Sequence, residues 1–289
     1  MPNFSMIPQD FYIKILTYIN MKNKDKNKEL LRLDYKSKVK KSFEIIEEAL
    51  SLCKKPCVSF SGGKNSLVVL HMLLQFKPDI PVIFCNTTVE FPETVQYVRQ
   101  LAREWNLNLI EVKPRRPWTF KKVVECFGFP LPDRWKNGEP HCCYLLKTQP
   151  IRYLFIEKKF DANFTGLSAF ESKARMLNFL MKGCMIKTKH IGSGYRLPFE
   201  ILSVKPIYFW NDGNVWRYIR ENNLPVNPVY EKYGLDRVGC LFCTGHRFWR
   251  EQLAKINPKL LKWVEEKIRE YGWDEGRWKR RLRKNYATS

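Results

Sequence analysis

From Pro56 onward, short apolar runs alternate with longer segments in which apolar residues recur every three or four positions. Pro56-Cys-Val-Ser-Phe60, Ile80 to Cys85 and Leu107 to Val112 read as strands, and Asn163-Phe-Thr165 as a fourth. Helical spacing runs over Leu67 to Leu74, Glu93 to Trp105, Tyr153 to Lys159, Ser168 to Leu180, Val215 to Asn222 and Trp249 to Tyr271. Ahead of them Phe11, Ile15, Leu16, Ile19, Leu30, Leu31, Leu33, Phe43, Ile45, Ile46 and Leu50 stand among lysines in a helix-like pattern. Strand and helix in alternation predict an α/β fold, a parallel twisted sheet with helices on both faces and helical N- and C-terminal extensions. The expected division is a lysine-rich extension over 1–45, a nucleotide-binding domain over 46–245 and a basic, Trp-rich helical segment over 246–289.

A chain of 289 residues with 44% apolar content can bury a full core. No apolar run approaches bilayer-spanning length and no leader pattern opens the chain, so a cytoplasmic protein without a membrane partner is expected. Charge changes the picture more: 51 Lys and Arg against 29 Asp and Glu leave a net charge of +22. The excess gathers over 14–41 and in Arg277-Trp-Lys-Arg-Arg-Leu-Arg-Lys284. Such ends suit a polyanion, tRNA or DNA, although solvated lysine faces give the same composition. Trp249, Trp263, Trp273 and Trp278 lie near arginines; Trp278, inside the basic run, is the better candidate for stacking on bases, and the first two fit helix packing.

Candidate chemistry begins at Ser59-Phe-Ser-Gly-Gly-Lys-Asn-Ser66, where a strand turns through glycines into a helix. Amides at a helix N-terminus make an anion site, Lys64 adds a mobile point charge, and Ser61 and Ser66 offer hydroxyls. The spacing is not that of the P-loop of motor ATPases and GTPases. Further on, Cys142-Cys143 and Cys240-Leu-Phe-Cys243 supply two short thiolate bites. Together they can close around an iron–sulfur cluster or a zinc ion. Nine cysteines without an export signal favour reduced thiols. Cys53, Cys57, Cys85 and Cys126 fall within predicted elements and read as core, while Cys184, between Lys182 and Lys187, is a candidate low-pKa thiol that is more often an inert half-buried residue. His71, His141, His190 and His246 show no metal-site spacing.

Ser-Gly-Gly-Lys-Asn-Ser resembles the signature of the PP-loop enzymes, which release pyrophosphate from ATP while adenylating an acceptor. Asn86-Thr-Thr-Val-Glu-Phe-Pro-Glu-Thr94, Cys142-Cys-x-x-x-Lys147, Gly166-x-x-x-x-Glu-Ser-x-x-Arg175 and Leu224-Pro-Val-Asn-Pro-Val-Tyr230 leading to Gly239-Cys-x-x-Cys-Thr244 follow in order. On these motifs residues 45–245 are identified as a member of the phosphoadenylyl-sulfate (PAPS) reductase family, iron–sulfur branch. The resemblance implies an adenine nucleotide alpha hydrolase-like fold. It implies nucleotide contacts from Ser59, Ser61, Gly62, Gly63, Lys64, Asn65, Ser66, Asn86, Thr87, Glu90, Gly166, Glu171 and Ser172, and a [4Fe-4S] cluster on Cys142, Cys143, Cys240 and Cys243. Lys147 is placed beside that cluster and Arg175 against an anion.

Three positions depart from the family pattern. Asn65 replaces an aspartate that would help hold magnesium; Ser168 replaces an arginine; and no cysteine follows Cys243, where reductases carry a sulfur-attacking thiol. The expected activity is therefore a PP-loop sulfurtransferase that binds ATP, adenylates an acceptor with Lys64, Lys147 and Arg175 in the active site, and delivers sulfur, with Cys184 as the spare thiol. A sulfur donor or reductant protein and a homo-oligomer are expected with it. The alternatives are an APS or PAPS reductase using a non-standard thiol, and a non-catalytic nucleic-acid-binding protein with a structural cluster.

Overall fold

The computed structural model describes residues 24–129, 141–191, 195–245 and 248–271. The predicted helix at Phe11 to Ile19, the basic run 277–284, Trp273, Trp278 and His246 lie outside them. Among the described residues no helix is long and apolar enough to cross a membrane.

The core is a six-stranded sheet in the order β3-β2-β1-β4-β6-β5. Its strands are β1 (Pro56–Ser59), β2 (Val82–Cys85), β3 (Leu109–Val112), β4 (Ala162–Thr165), β5 (Met185–Ile191) and β6 (Tyr195–Val204). All pairings are parallel except β5 with β6. Helices cover both faces, so this is the PP-loop, adenine nucleotide alpha hydrolase-like architecture. In chain order they are α1 (Tyr35–Ser51), α2 (Lys64–Leu74), α3 (Pro92–Glu104), α4 (Phe120–Phe127), α5 (Gln149–Lys158), α6 (Lys173–Lys182), α7 (Asp212–Glu221), α8 (Val229–Tyr233), α9 (Trp249–Ile256) and α10 (Pro258–Tyr271). A turn at His141–Cys143 and a π-helical turn at Tyr144–Thr148 run directly into α5.

The predicted strands stand where the apolar runs are. The β5–β6 hairpin was not foreseen, because Lys187, Lys189 and His190 dilute an edge strand that needs only one buried side. Cys184 lies between these elements: α6 runs to Lys182 and β5 begins at Met185. The expected helix from Ser168 opens as a 3-10 turn, Ala169–Glu171, before Ser172 caps α6. The expected helix over 249–271 is two helices, because Pro258 has no N–H with which to continue α9.

Residue 45 falls inside α1, which is part of the main core: Ile45, Ile46 and Ala49 pack with Val58, Val68 and Trp210. Ser42 locks the helix down. Its hydroxyl donates to the carbonyl of Pro206 (2.9 Å) and accepts from the Trp210 indole N–H (3.0 Å), with all three groups buried. On the opposite face Ile151, Leu154 and Phe155 of α5 cover Cys57, Ile83 and Ile201. Helices α9 and α10 form a satellite core with Val124 and Phe129 through Trp249, Leu253 and Val264.

Ser42→Ala leaves a buried indole N–H and a buried carbonyl without their partner. Urea unfolding should show a lower midpoint at unchanged slope, corresponding to about 1–3 kcal/mol.

Candidate active site

The loop after β1 is built by close backbone approach. Gly62 has φ +74°, the left-handed region that glycine adopts without strain, and Gly63 caps α2. Gly166, just beyond β4, lies so near the start of α2 that a Cβ on it would meet the Ser66 amide nitrogen at 2.4 Å and the Asn65 carbonyl at 2.5 Å. From the other side Asn227, buried, donates to the Gly62 carbonyl (3.1 Å) and to Thr94 Oγ1 (2.9 Å). The Tyr230 hydroxyl accepts from the Lys64 amide (2.8 Å). Neither Asn227 nor Tyr230 was singled out from sequence, though both lie in the Leu224–Tyr230 motif.

Several expected nucleotide contacts are spent within the protein. Ser59 donates to Asn163 Oδ1 (2.9 Å), tying β1 to β4. Ser66 donates to the Gly63 carbonyl (2.9 Å), and the Ser61 amide donates to it (3.3 Å). Ser61 remains exposed at the loop. Ser172 caps α6 through the Arg175 amide (3.2 Å). Asn86 donates to Glu111 (2.9 Å) and accepts from the Thr88 amide (3.0 Å). Glu111 is in turn gripped by two Arg99 nitrogens, at 2.9 and 2.8 Å, which pull its pKa down to about 2. Asn65 donates to Glu171 (2.9 Å), which also pairs with Arg175, so one carboxylate joins the loop to that arginine.

Lys64 is not the mobile charge expected. It is buried, its ammonium 3.0 Å from Asp212 Oδ1 and 2.5 Å from the carbonyl of Asp236, and it lies over the rings of Trp216 and Tyr230 at 5.5 and 5.3 Å. Asp212 is largely exposed, so it is a counter-ion that a stronger anion can displace.

Thr87 and Glu90, expected at the nucleotide, stand at the thiols instead. A β-bridge joins Glu90 to Cys240, the Leu241 amide donates to the Val89 carbonyl (2.7 Å), and Thr87 Oγ1 lies 2.8 Å from Glu90 Oε1 and 3.6 Å from Cys240 Sγ. Cys142, Cys143, Cys240 and Cys243, from two segments, come near enough for their charges to act on one another. A hydrogen bond that the Cys142 thiol donates to Cys143, burial and the charges of the other thiols raise the Cys142 pKa. Burial first, then neighbouring acidic groups, raises Cys240 and Cys243. Lys147 keeps some solvent exposure while its ammonium sits among these groups: burial works to lower its pKa, and Cys240, Glu90, Cys85 and Cys143 outweigh it. Four sulfurs beside a cation suit an iron–sulfur cluster or zinc in kind. In spacing, no three His, Cys, Asp or Glu side chains among the described residues stand together as metal ligands do.

Cys184 corrects its expectation. It is buried in the main core, and burial pushes its thiol up to about 12, with Lys205 and Lys41 only partly offsetting it. The thiolate proposed from its flanking lysines does not form there.

Residues 55–246 match the phosphoadenosine phosphosulfate reductase domain. An uncharacterized protein of Methanocaldococcus jannaschii is 32% identical over 233 residues, 78% of this chain and 44% of that protein, and a second from the same organism is 29% identical over 91% of this chain and 58% of its own length. The chain thus spans about half the length of these relatives. The adenosine 5'-phosphosulfate reductase of Bacillus cytotoxicus is 30% identical over 185 residues, 64% of this chain and 70% of that enzyme. Among solved structures, the PAPS reductase of Candida auris superposes with a TM-score of 0.53 at 21% identity, over 81% of this chain and 96% of that one. The FMN adenylyltransferase of Candida glabrata, in complex with ATP, gives 0.51 at 15% identity, over 78% of this chain and 71% of that one. These two likenesses concern the fold.

Asp212→Asn removes the carboxylate that competes for Lys64. Pyrophosphate, titrated calorimetrically, should bind several-fold more tightly to the variant than to the native protein; equal or weaker binding would show that the pair is structural. Gly166→Ala drives a methyl group into the Asn65–Ser66 backbone and should lower both the thermal midpoint and nucleotide affinity.

Proposed function

The chain belongs to the phosphoadenosine phosphosulfate reductase family, and on that premise we propose that it binds ATP at the Ser61–Ser66 loop, adenylates an acceptor and directs sulfur to it from the Cys142, Cys143, Cys240 and Cys243 site. The observation that carries this reading is the short segment from Asp236 to Cys240. Its first residue is held by Lys64 of the nucleotide loop and its last by Glu90 beside the thiols. Nucleotide loop and thiols thus adjoin at the C-terminal edge of the parallel strands, where open α/β sheets bind their ligands.

In this scheme an acceptor oxygen attacks the α-phosphorus of ATP, the bond to the β-phosphate oxygen breaks, and pyrophosphate leaves. The amides at the head of α2 and the Lys64 ammonium, once drawn from Asp212, balance the charge that develops on the leaving oxygens. Arg175, through its pairing with Glu171, stands where it can hold the α-phosphate or the acceptor anion. Sulfur at the −2 level then displaces AMP from the acceptor and takes the carbon formerly bonded to oxygen. A [4Fe-4S] cluster on the four cysteines would stand beside the reacting sulfur and supply its electrostatic surroundings; zinc is the competing occupant. Lys147 would balance the negative charge of the thiolates. The acceptor in this reading is a nucleic acid, tRNA or DNA, consistent with the net charge of +22. A sulfur-donor protein would complete the cycle, and magnesium would accompany the ATP.

The resemblance to adenosine 5'-phosphosulfate reductases favours a second reading, sulfonucleotide reduction. It needs a thiol that can attack sulfur, and the burial of Cys184 argues against that residue.

Purified without oxygen, the protein should contain iron and acid-labile sulfide, and Cys143→Ala or Cys240→Ala should lose both; zinc in their place would favour a structural site. ATP should bind more tightly than adenylyl sulfate or PAPS, with Lys64→Ala weakening it by about tenfold or more. The reverse order of affinities makes the protein a reductase.

A further inference from the structure

The cations around the nucleotide loop differ in what already neutralises them. Lys64 faces Asp212, Arg175 is paired with Glu171, and Lys147, though exposed, has Glu90 and thiols as its charged neighbours. Arg237 is exposed and has no carboxylate or hydrogen-bond partner among the described residues. Its place is nevertheless well determined. The carbonyl of Asp236, just before it, rests on the Lys64 ammonium, and Cys240, three residues later, is bridged to Glu90. The Arg237 guanidinium folds over the start of the cysteine loop, its Nη2 within van der Waals reach, 3.9 Å, of where a Cβ on Gly239 would stand.

The Arg237 charge is felt on two sides. Burial lowers the Arg175 pKa and Arg237 lowers it further. Burial raises Tyr230, and Arg237 works against that shift. Two guanidinium groups that repel each other between a phosphate loop and a thiol site are stabilised by an anion placed between them. The planar fork of arginine matches the paired oxygens of a phosphoryl or sulfuryl group.

We propose that Arg237 is a specificity-determining residue: it holds the oxyanion that an adenine nucleotide carries beyond its α-phosphate, on the side of the loop that faces the thiols. This rests on the adenine-nucleotide reading given above and names the part of the ligand that the site selects. The oxyanion is the β-phosphoryl group of ADP or ATP, or the sulfuryl group of an adenylyl sulfate. AMP, which ends at the α-phosphate, does not reach Arg237.

The test is calorimetric titration of the full chain with AMP, ADP and adenylyl sulfate, in the native protein and in Arg237→Ala and Arg237→Lys. In Arg237→Ala the affinity for ADP, for adenylyl sulfate or for both should fall by about tenfold or more while that for AMP holds, which also shows that the variant is folded. Loss confined to ADP assigns a phosphoryl site, and loss confined to adenylyl sulfate a sulfuryl site. Arg237→Lys should recover part of the loss, since the charge remains and the fork does not. If AMP weakens as much as the others, or if nothing changes, the assignment is overturned. Failure of all three ligands to bind the native protein overturns the nucleotide reading itself, and does so before any variant is made.

Discussion

Two neighbouring parallel strands, β1 and β4, deliver their following loops to the same edge of the sheet, and the structure depends on how closely those loops pass. At Gly166 the backbone leaves no room for a Cβ against Asn65 and Ser66. That approach sets the amide nitrogens at the head of α2 and brings the Glu171–Arg175 segment within reach of Asn65. Gly62 supplies the turn on the other side, held through its carbonyl by Asn227. Backbone rather than side-chain chemistry therefore shapes the anion site, as expected for a site at a helix N-terminus.

Electrostatics explains how the site is kept together in a chain of such high positive charge. Three cations near the glycine loop and the thiols each have a counter-charge: Asp212 for Lys64, Glu171 for Arg175, and Glu90 with the thiols for Lys147. These partners are themselves fastened, Glu90 by Thr87 and by its bridge to Cys240. At Lys64 an incoming anion would exchange one counter-charge for another. The Lys64–Asp212 contact is the clearest such exchange, with a buried ammonium and an exposed carboxylate.

The same arrangement ties the glycine loop to the cysteine segment. Residues 236–240 are held at one end by the Lys64 ammonium on the Asp236 carbonyl and at the other by the bridge from Cys240 to Glu90. The two cysteine pairs approach from opposite segments: Cys142 and Cys143 from the turn that enters α5, and Cys240 and Cys243 from the loop that bridges to Glu90 beyond β2.

What the sequence determined by itself was local. Short runs at Pro56, Ile80, Leu107 and Asn163 became β1 to β4: β1 and β2 are buried along most of their length and so are nearly all apolar, β4 alternates buried Ala162 and Phe164 with Asn163 and Thr165, and β3 is half-buried. The glycine turn into α2 and the two cysteine pairs were legible because their chemistry is carried by adjacent residues. Tertiary structure decided everything that joins residues distant in the chain. Ser59, Asn86 and Ser172 have the hydroxyls and amides of nucleotide ligands, yet Asn163, Glu111 and the Arg175 amide occupy them. Lys64 looked mobile until Asp212, Asp236, Trp216 and Tyr230 closed around it from more than a hundred residues away. Cys184 looked reactive between two lysines until the core covered it. The periodicity of a chain reports which side of an element is buried; which groups meet a given polar atom depends on packing between elements, and that is where these side chains acquired their partners.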